Sequence, residues 1–109
     1  MRRVFFEPIA HKQFLAWKRF DKKIFHKIAE LIAETREEPF KGTGKPEPLK
    51  HKFSGYWSRR ITKEHRLVYK VTDESIIIIS CKYHHRFSRE YTDRKITNKM
   101  PLEKQVFYF

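Results

Sequence analysis

A single cysteine, Cys81, stands in a chain of 109 residues. No intramolecular disulfide can form, and no cysteine-based zinc cluster can be assembled. Acids are also scarce, 13 against 25 lysines and arginines, for a formal charge of +12. Few carboxylates leave little with which to cage a hard cation. The histidines (His11, His26, His51, His65, His84 and His85) lack the close paired spacing of known ligand patterns. Neither a metal nor a cofactor is expected. Long apolar runs are missing too: the longest strongly apolar one is Ile76–Ile79, against the roughly 20 residues of a membrane-spanning helix. Arg2, Arg3 and Glu7 interrupt any stretch that could serve as a signal peptide. A cytoplasmic protein without a membrane partner is the expectation.

What is present is one small, basic, aromatic domain. Its excess of cations favours nucleic acid or an acidic protein, through a long-range attraction that salt screens. Arg3–Phe6 reads as a short strand. Pro8 can open a helix at its first position, where a missing N–H costs little; Ile9, Gln13, Ala16 and Trp17 lie near one face, joined by Phe14 and Phe20, to about Arg19. Asp21 is a suitable N-cap for a second helix, in which Ile24, Ile28, Leu31 and Ile32 keep amphipathic spacing. It should end by Glu38, because Pro39 disfavours helical geometry in the residue before it. From Pro39 to Lys52 the chain concentrates proline and glycine and reads as an irregular loop. Three strand-like runs follow, Tyr56–Ile61, His65–Val71 and Ser75–Tyr83, with breaks short enough for hairpins. The expected fold class is α+β: two N-terminal helices on one face of a roughly four-stranded, mainly antiparallel sheet, in the order β-α-α-β-β-β. Alternation sets Trp57, Arg59 and Ile61 on one face of the sheet and Tyr56, Ser58 and Arg60 on the other, with Arg66 beside Val68 and Lys70.

Within the loop a lone acid, Glu47, is held between Pro46 and Pro48 among Lys45, Lys50, His51 and Lys52. Such an acid suits an enzyme that attracts a polyanion and still removes a proton from it. Its bland role is a solvated ion pair with Lys45 or Lys50. For Arg66, whose planar fork suits two phosphate oxygens, the bland role is a cross-strand pair with Glu64 or Glu74. Lys50, His51, Arg59, Arg60 and His65 read as phosphate contacts with RNA, Arg59 nearest the scissile group. Tyr56, Trp57 and Tyr83 could stack on bases, although Trp57 alternates with Ile61 and fits the core better. Cys81 reads as a small buried residue and not a nucleophile.

K-P-E-P-L-K-H (45–51), S-G-Y-W-S-R-R-I-T (54–62), E-H-R-L-V-Y (64–69) and C-K-Y-H (81–84) together resemble the YoeB toxins of the RelE/ParE superfamily, which are bacterial ribosome-dependent mRNA endoribonucleases. The resemblance runs from Met1 to about His85. It implies a RelE-like fold over 1–85, followed by a C-terminal extension, 86–109, that has no counterpart in the family; disorder is expected there up to about Glu103. It implies metal-free cleavage through the ribose 2′-OH, with Glu47 as general base, Arg66 as phosphate clamp and His84 as general acid. Where the family ends in a tyrosine this chain has His85, a candidate either for stacking on the scissile nucleotide or for the proton donor itself. The implied partners are mRNA, the ribosome with its RNA and a cognate YefM-like antitoxin, and a homodimer is left open. Two alternatives share the fold: a non-catalytic ribosome- or RNA-binding module, and the gyrase-directed branch of the superfamily. The K-P-E-P-L-K-H segment and the terminal histidine speak against the second.

Overall fold

The computed structural model describes residues 1–50 and 55–83 and the backbone of 107–108. Strand β1 (Arg3–Phe6) leads into helices α1 (Pro8–Phe20) and α2 (Lys22–Glu37), then strands β2 (Glu47–Pro48), β3 (Tyr56–Arg60), β4 (Arg66–Val71), β5 (Ser75–Ser80) and β6 (Phe107–Tyr108). The sheet order is β2-β3-β4-β5-β1-β6. β2 through β5 form an antiparallel meander, and β1 lies parallel to β5, reached through the two helices. This is the expected α+β arrangement, with four longer strands carrying most of the sheet. The extension supplies one further observation: Phe107–Tyr108 pairs antiparallel with β1. The rest of it lies outside the described residues, as do His51, His84 and His85.

Local chemistry sets the boundaries. Pro8 occupies the start of α1. The Asp21 carboxylate accepts from the amides of Lys23 and Ile24 at 3.1 and 3.3 Å, which caps α2. Both hairpin turns are closed by threonine: Thr62 Oγ1 accepts from the amides of Glu64 and His65, and Thr72 Oγ1 from that of Ser75. Ile28, Leu31 and Ile32 of α2 meet Leu67, Tyr69, Ile76 and Ile78 of the sheet in one core. In α1 the buried stripe is Ala10, Phe14 and the partly buried Trp17, so of the expected face Phe14 and Trp17 are covered while Ile9 and Phe20 are not. Ile9 is 38% exposed and Phe20 80% exposed, because residues 9, 13, 16 and 20 lie one residue, about 100°, round the helix from 10, 14 and 17, and the expected face combined members of both rows.

The opposite face of the sheet carries a smaller apolar cluster, Val68 and Ile79 with Leu49, Tyr56 and Ile77. A bulge marks the end of β5: Tyr69 pairs with Ile78 and Val68 with Ser80, so Ile79 is one residue too many. Cys81 follows it, buried, with burial pushing its thiol up to about 12, as an inert packing residue requires. Among the described residues no helix is long and apolar enough to cross a membrane, and no group of His, Cys, Asp and Glu is placed to hold a metal ion.

Candidate active site

The loop before β2 is built by Arg59. Its side chain is fully buried, and all five of its N–H donors are used. Nη1 donates to Glu34 Oε2 and to the Thr43 carbonyl, both at 3.1 Å. Nη2 donates to the carbonyls of Glu38 and Lys41, and Nε to the Tyr69 hydroxyl. The Tyr69 hydroxyl in turn donates to the Pro39 carbonyl at 2.8 Å. Residues 38–43 are thus wrapped around one guanidinium. Two glycines permit the wrap. A Cβ on Gly42 would fall 1.8 Å from Glu34 Oε2, and one on Gly44 would fall 3.0 Å from the Arg60 carbonyl; both glycines have positive φ. The Thr43 amide first, and Arg59 with it, hold the Glu34 carboxyl below the usual carboxylate range despite partial burial.

The chain then enters β2, a two-residue edge strand where an irregular loop was expected. Glu47 is opposite Ser58 and Pro48 opposite Trp57; proline is tolerated at an edge because no partner strand needs its N–H. On the far side of β3, Ser58 is opposite Val68 and Arg60 opposite Arg66. Three strands therefore bring Glu47, Ser58, Arg60 and Arg66 to the face turned away from the helices. Arg66 Nη1 donates to Glu47 Oε1 at 3.1 Å and to Ser58 Oγ at 3.0 Å. Glu47 is paired with this arginine, and not with Lys45 or Lys50; Arg66 has neither Glu64 nor Glu74 as its partner. The glutamate side chain is 61% exposed and the arginine 20% exposed. An accessible acid and a partly sheltered cation thus meet where a ligand can reach both. Lys50 and Arg60 are exposed nearby, and Lys70 Nζ lies 5.5 Å from the centre of the Tyr56 ring on the same face. Trp57 stacks obliquely on Phe40, with ring centres 4.9 Å apart, and packs against the core.

Two expected RNA contacts belong elsewhere. Arg59 has no donor left for a phosphate and no exposure to one. His65 is 7% exposed; its Nδ1 accepts from the Tyr83 amide at 2.9 Å, and its ring stands edge-on to Trp17 at 4.9 Å. It anchors the exit from β5. Tyr83, held by that bond, has a φ of 60°, a conformation side chains seldom adopt. Burial, chiefly, pushes the His65 pKa below its ordinary value; Lys82 adds to the shift and Glu64 opposes it. The unfolded chain therefore takes up a proton that the folded one resists. His65 contributes stability that is complete above the ordinary histidine pKa of about 6.5 and declines as the pH falls below it. The urea midpoint should fall between about pH 7.5 and about pH 5.5, and the fall should be smaller in His65→Gln. An unchanged pH dependence in the variant would show that another group carries the effect.

Ser58 was not singled out from the sequence as a site residue, although its parity with Arg60 was a usable signal. Two helices on one face of a mixed sheet, with an acid and an arginine joined on the other, define a RelE-like α+β protein. A family model described as "YoeB-like toxin of bacterial type II toxin-antitoxin system" matches residues 6–85. Toxin YoeB of Escherichia coli (strain K12) is 62% identical over 72 residues, which span 66% of this chain and 86% of that protein. Among solved structures, the YoeB dimer from Staphylococcus aureus superposes with a TM-score of 0.73 at 45% identity, covering 77% of this chain and 98% of that one. The YoeB-YefM complex from the same organism gives 0.71 at 43%, covering 78% and 99%. The chain belongs to the family of YoeB-like toxins of bacterial type II toxin–antitoxin systems.

Proposed function

We propose that this toxin is a ribosome-dependent mRNA endoribonuclease that halts translation by cutting mRNA in the ribosomal A site. The observation that carries this reading is the 3.1 Å contact between Glu47 and Arg66 on the accessible face of the sheet. A proton acceptor and a two-pronged phosphate ligand stand there side by side. The entering phosphodiester takes the place of the carboxylate on Arg66. Freed from its partner, Glu47 removes the proton of the ribose 2′-OH, whose oxygen attacks the adjacent phosphorus. Arg66 neutralises the charge that builds on the phosphorane oxygens. The bond to the 5′-oxygen breaks, and that oxygen takes a proton from the imidazolium of His84, leaving a 2′,3′-cyclic phosphate and a 5′-hydroxyl. A histidine titrates near neutrality and can supply that proton. His85 is the second candidate for this step, or a platform for the base.

Lys50, His51 and Arg60 hold the RNA backbone, which fixes position without reading sequence. No step calls for a metal or cofactor. The solved Staphylococcus aureus relative is a YoeB-YefM complex, which supports a YefM-like antitoxin as the inhibitor here; the YoeB dimer of that organism supports self-association. The cytoplasm, where ribosomes work, is the proposed location.

Primer-extension mapping of mRNA 5′ ends after induction tests the reading. Sharp new ends confined to translated codons, absent when initiation is blocked, are expected. Growth arrest or ribosome binding without such ends would leave a non-catalytic ribosome-binding module instead.

A further inference from the structure

Besides Glu47, Ser58 is the one side chain among the described residues to which the Arg66 guanidinium donates. The two acceptors differ in character. Glu47 is 61% exposed on a two-residue edge strand. Ser58 is 2% exposed in the middle of β3, paired with Glu47 on one side and Val68 on the other. Both accept from the same nitrogen, Nη1, which has two hydrogens, one for each. A guanidinium is planar and rigid, so pinning one N–H at a buried oxygen fixes the orientation of the whole fork. An exposed carboxylate on a two-residue edge strand cannot do so once it is needed for another purpose.

We propose that Ser58 is a positioning residue for Arg66: its hydroxyl keeps the fork aimed when the phosphate arrives and Glu47 lets go. This rests on the cleavage reaction proposed above. The pin separates two duties that one ion pair alone would confuse. With Ser58, Arg66 exchanges Glu47 for a phosphate and keeps its place; the carboxylate becomes free to take the 2′-OH proton. Without it, the guanidinium keeps Glu47 as its one side-chain partner among the described residues, and either follows the carboxylate or loses its aim. The loss should fall on the chemical step and not on docking, because the long-range attraction to RNA depends on charge, which the serine does not carry.

Threonine and valine have the same shape and differ in one hydroxyl, so Ser58→Thr and Ser58→Val impose the same packing change. Single-turnover cleavage of mRNA on programmed ribosomes is expected to stay within about 3-fold of wild type in Ser58→Thr. It should fall about 10-fold or more in Ser58→Val, the size expected for one hydrogen bond to a charged group. Ribosome affinity should be the same in both. Combined with Arg66→Lys, which has no fork to aim, the difference between the two variants should largely vanish. NMR of the Arg66 guanidinium supplies a readout independent of cleavage: its N–H signals should be sharp in Ser58→Thr and broadened by rotation in Ser58→Val. Equal cleavage by the two variants, or equal sharpness of the arginine signals, overturns the role of Ser58. Absence of cleavage in the wild-type protein overturns the reaction instead, and the NMR comparison still decides whether the serine pins the fork.

Discussion

Replacing Glu47 by Gln should lower the rate of mRNA cleavage on translating ribosomes by about 100- to 10,000-fold, the usual contribution of a positioned general base. Glutamine has the same length and keeps an oxygen that can accept from Arg66 Nη1, so the constellation stays in place. What disappears, in the reaction proposed above, is the capacity to hold the proton taken from the 2′-OH. Stability is not the explanation for such a loss. Glu47 is 61% exposed and Arg66 is 20% exposed, and ion pairs of that kind contribute about 0–1 kcal/mol. The thermal midpoint should accordingly move by a few degrees at most, and co-sedimentation with ribosomes should be unaltered. Glu47→Ala should be as inactive as Glu47→Gln. If the glutamine variant cleaves within about 3-fold of wild type, a different group is the base, and the pairing with Arg66 serves only to shape the loop.

The alternation of β3 and β4 was legible from the sequence, whereas the convergence of Glu47 and Arg66 across 19 positions was implied by the family resemblance and not by any local pattern. The register β2-β3-β4 brings them together because Ser58 and Arg60 separate them by a single strand. Legible in principle, but not used, was the parity of the basic residues. Arg59 alternates with Trp57 and Ile61, and His65 with Leu67 and Tyr69, so both point toward the helices. A cation on that face needs buried acceptors, and a histidine there needs a backbone partner. Arg60 and Arg66, with the opposite parity, remain on the accessible face. In the pair Arg59-Arg60, adjacent positions therefore have opposite fates, and residue type alone assigned both to RNA.

Other features depended on contacts that no local pattern contains. The acceptors of Arg59 come from α2, from the loop after it and from β4, and no spacing announces that they meet. β2 was hidden because Pro46 and Pro48 argue against a strand, although an edge strand tolerates them. The parallel pairing of β1 with β5 follows from a crossover through two helices, which the order of elements permits without dictating. In α1 the expected face held Phe14 and Trp17 correctly and took Ile9 and Phe20 in place of Ala10. Ile9 and Phe20 are as apolar as Ala10 and Phe14, and only the position of the sheet decides which stripe it covers.

Arg59→Ala should destabilise the protein by about 3–5 kcal/mol, the range for removing one partner of a buried charged network. At 4–8 °C per kcal/mol for a domain of this size, that is a fall in Tm of about 12 °C or more. The reason is the number of groups left behind. The guanidinium has no exposure, and its removal strands the carbonyls of Glu38, Lys41 and Thr43 together with the Tyr69 hydroxyl. Glu34 loses its counter-ion as well. Arg59→Lys should recover little, since three donors on a flexible stem cannot match five in a fixed fork. Arg60→Ala, one residue along and exposed, should shift the midpoint by no more than about 0.5 kcal/mol while weakening RNA-dependent activity. The same network decides what happens to the site in a variant that still folds. Residues 38–43 lead directly into β2, so Arg59→Lys, assayed well below its own Tm, should cleave slowly because Glu47 is no longer held against Ser58 and Arg66. Thermal unfolding of the three variants, run beside single-turnover cleavage, checks both halves. Near-native stability in Arg59→Ala would mean that the loop is held by its glycines and prolines, and that the buried arginine is a consequence of the fold and not one of its supports.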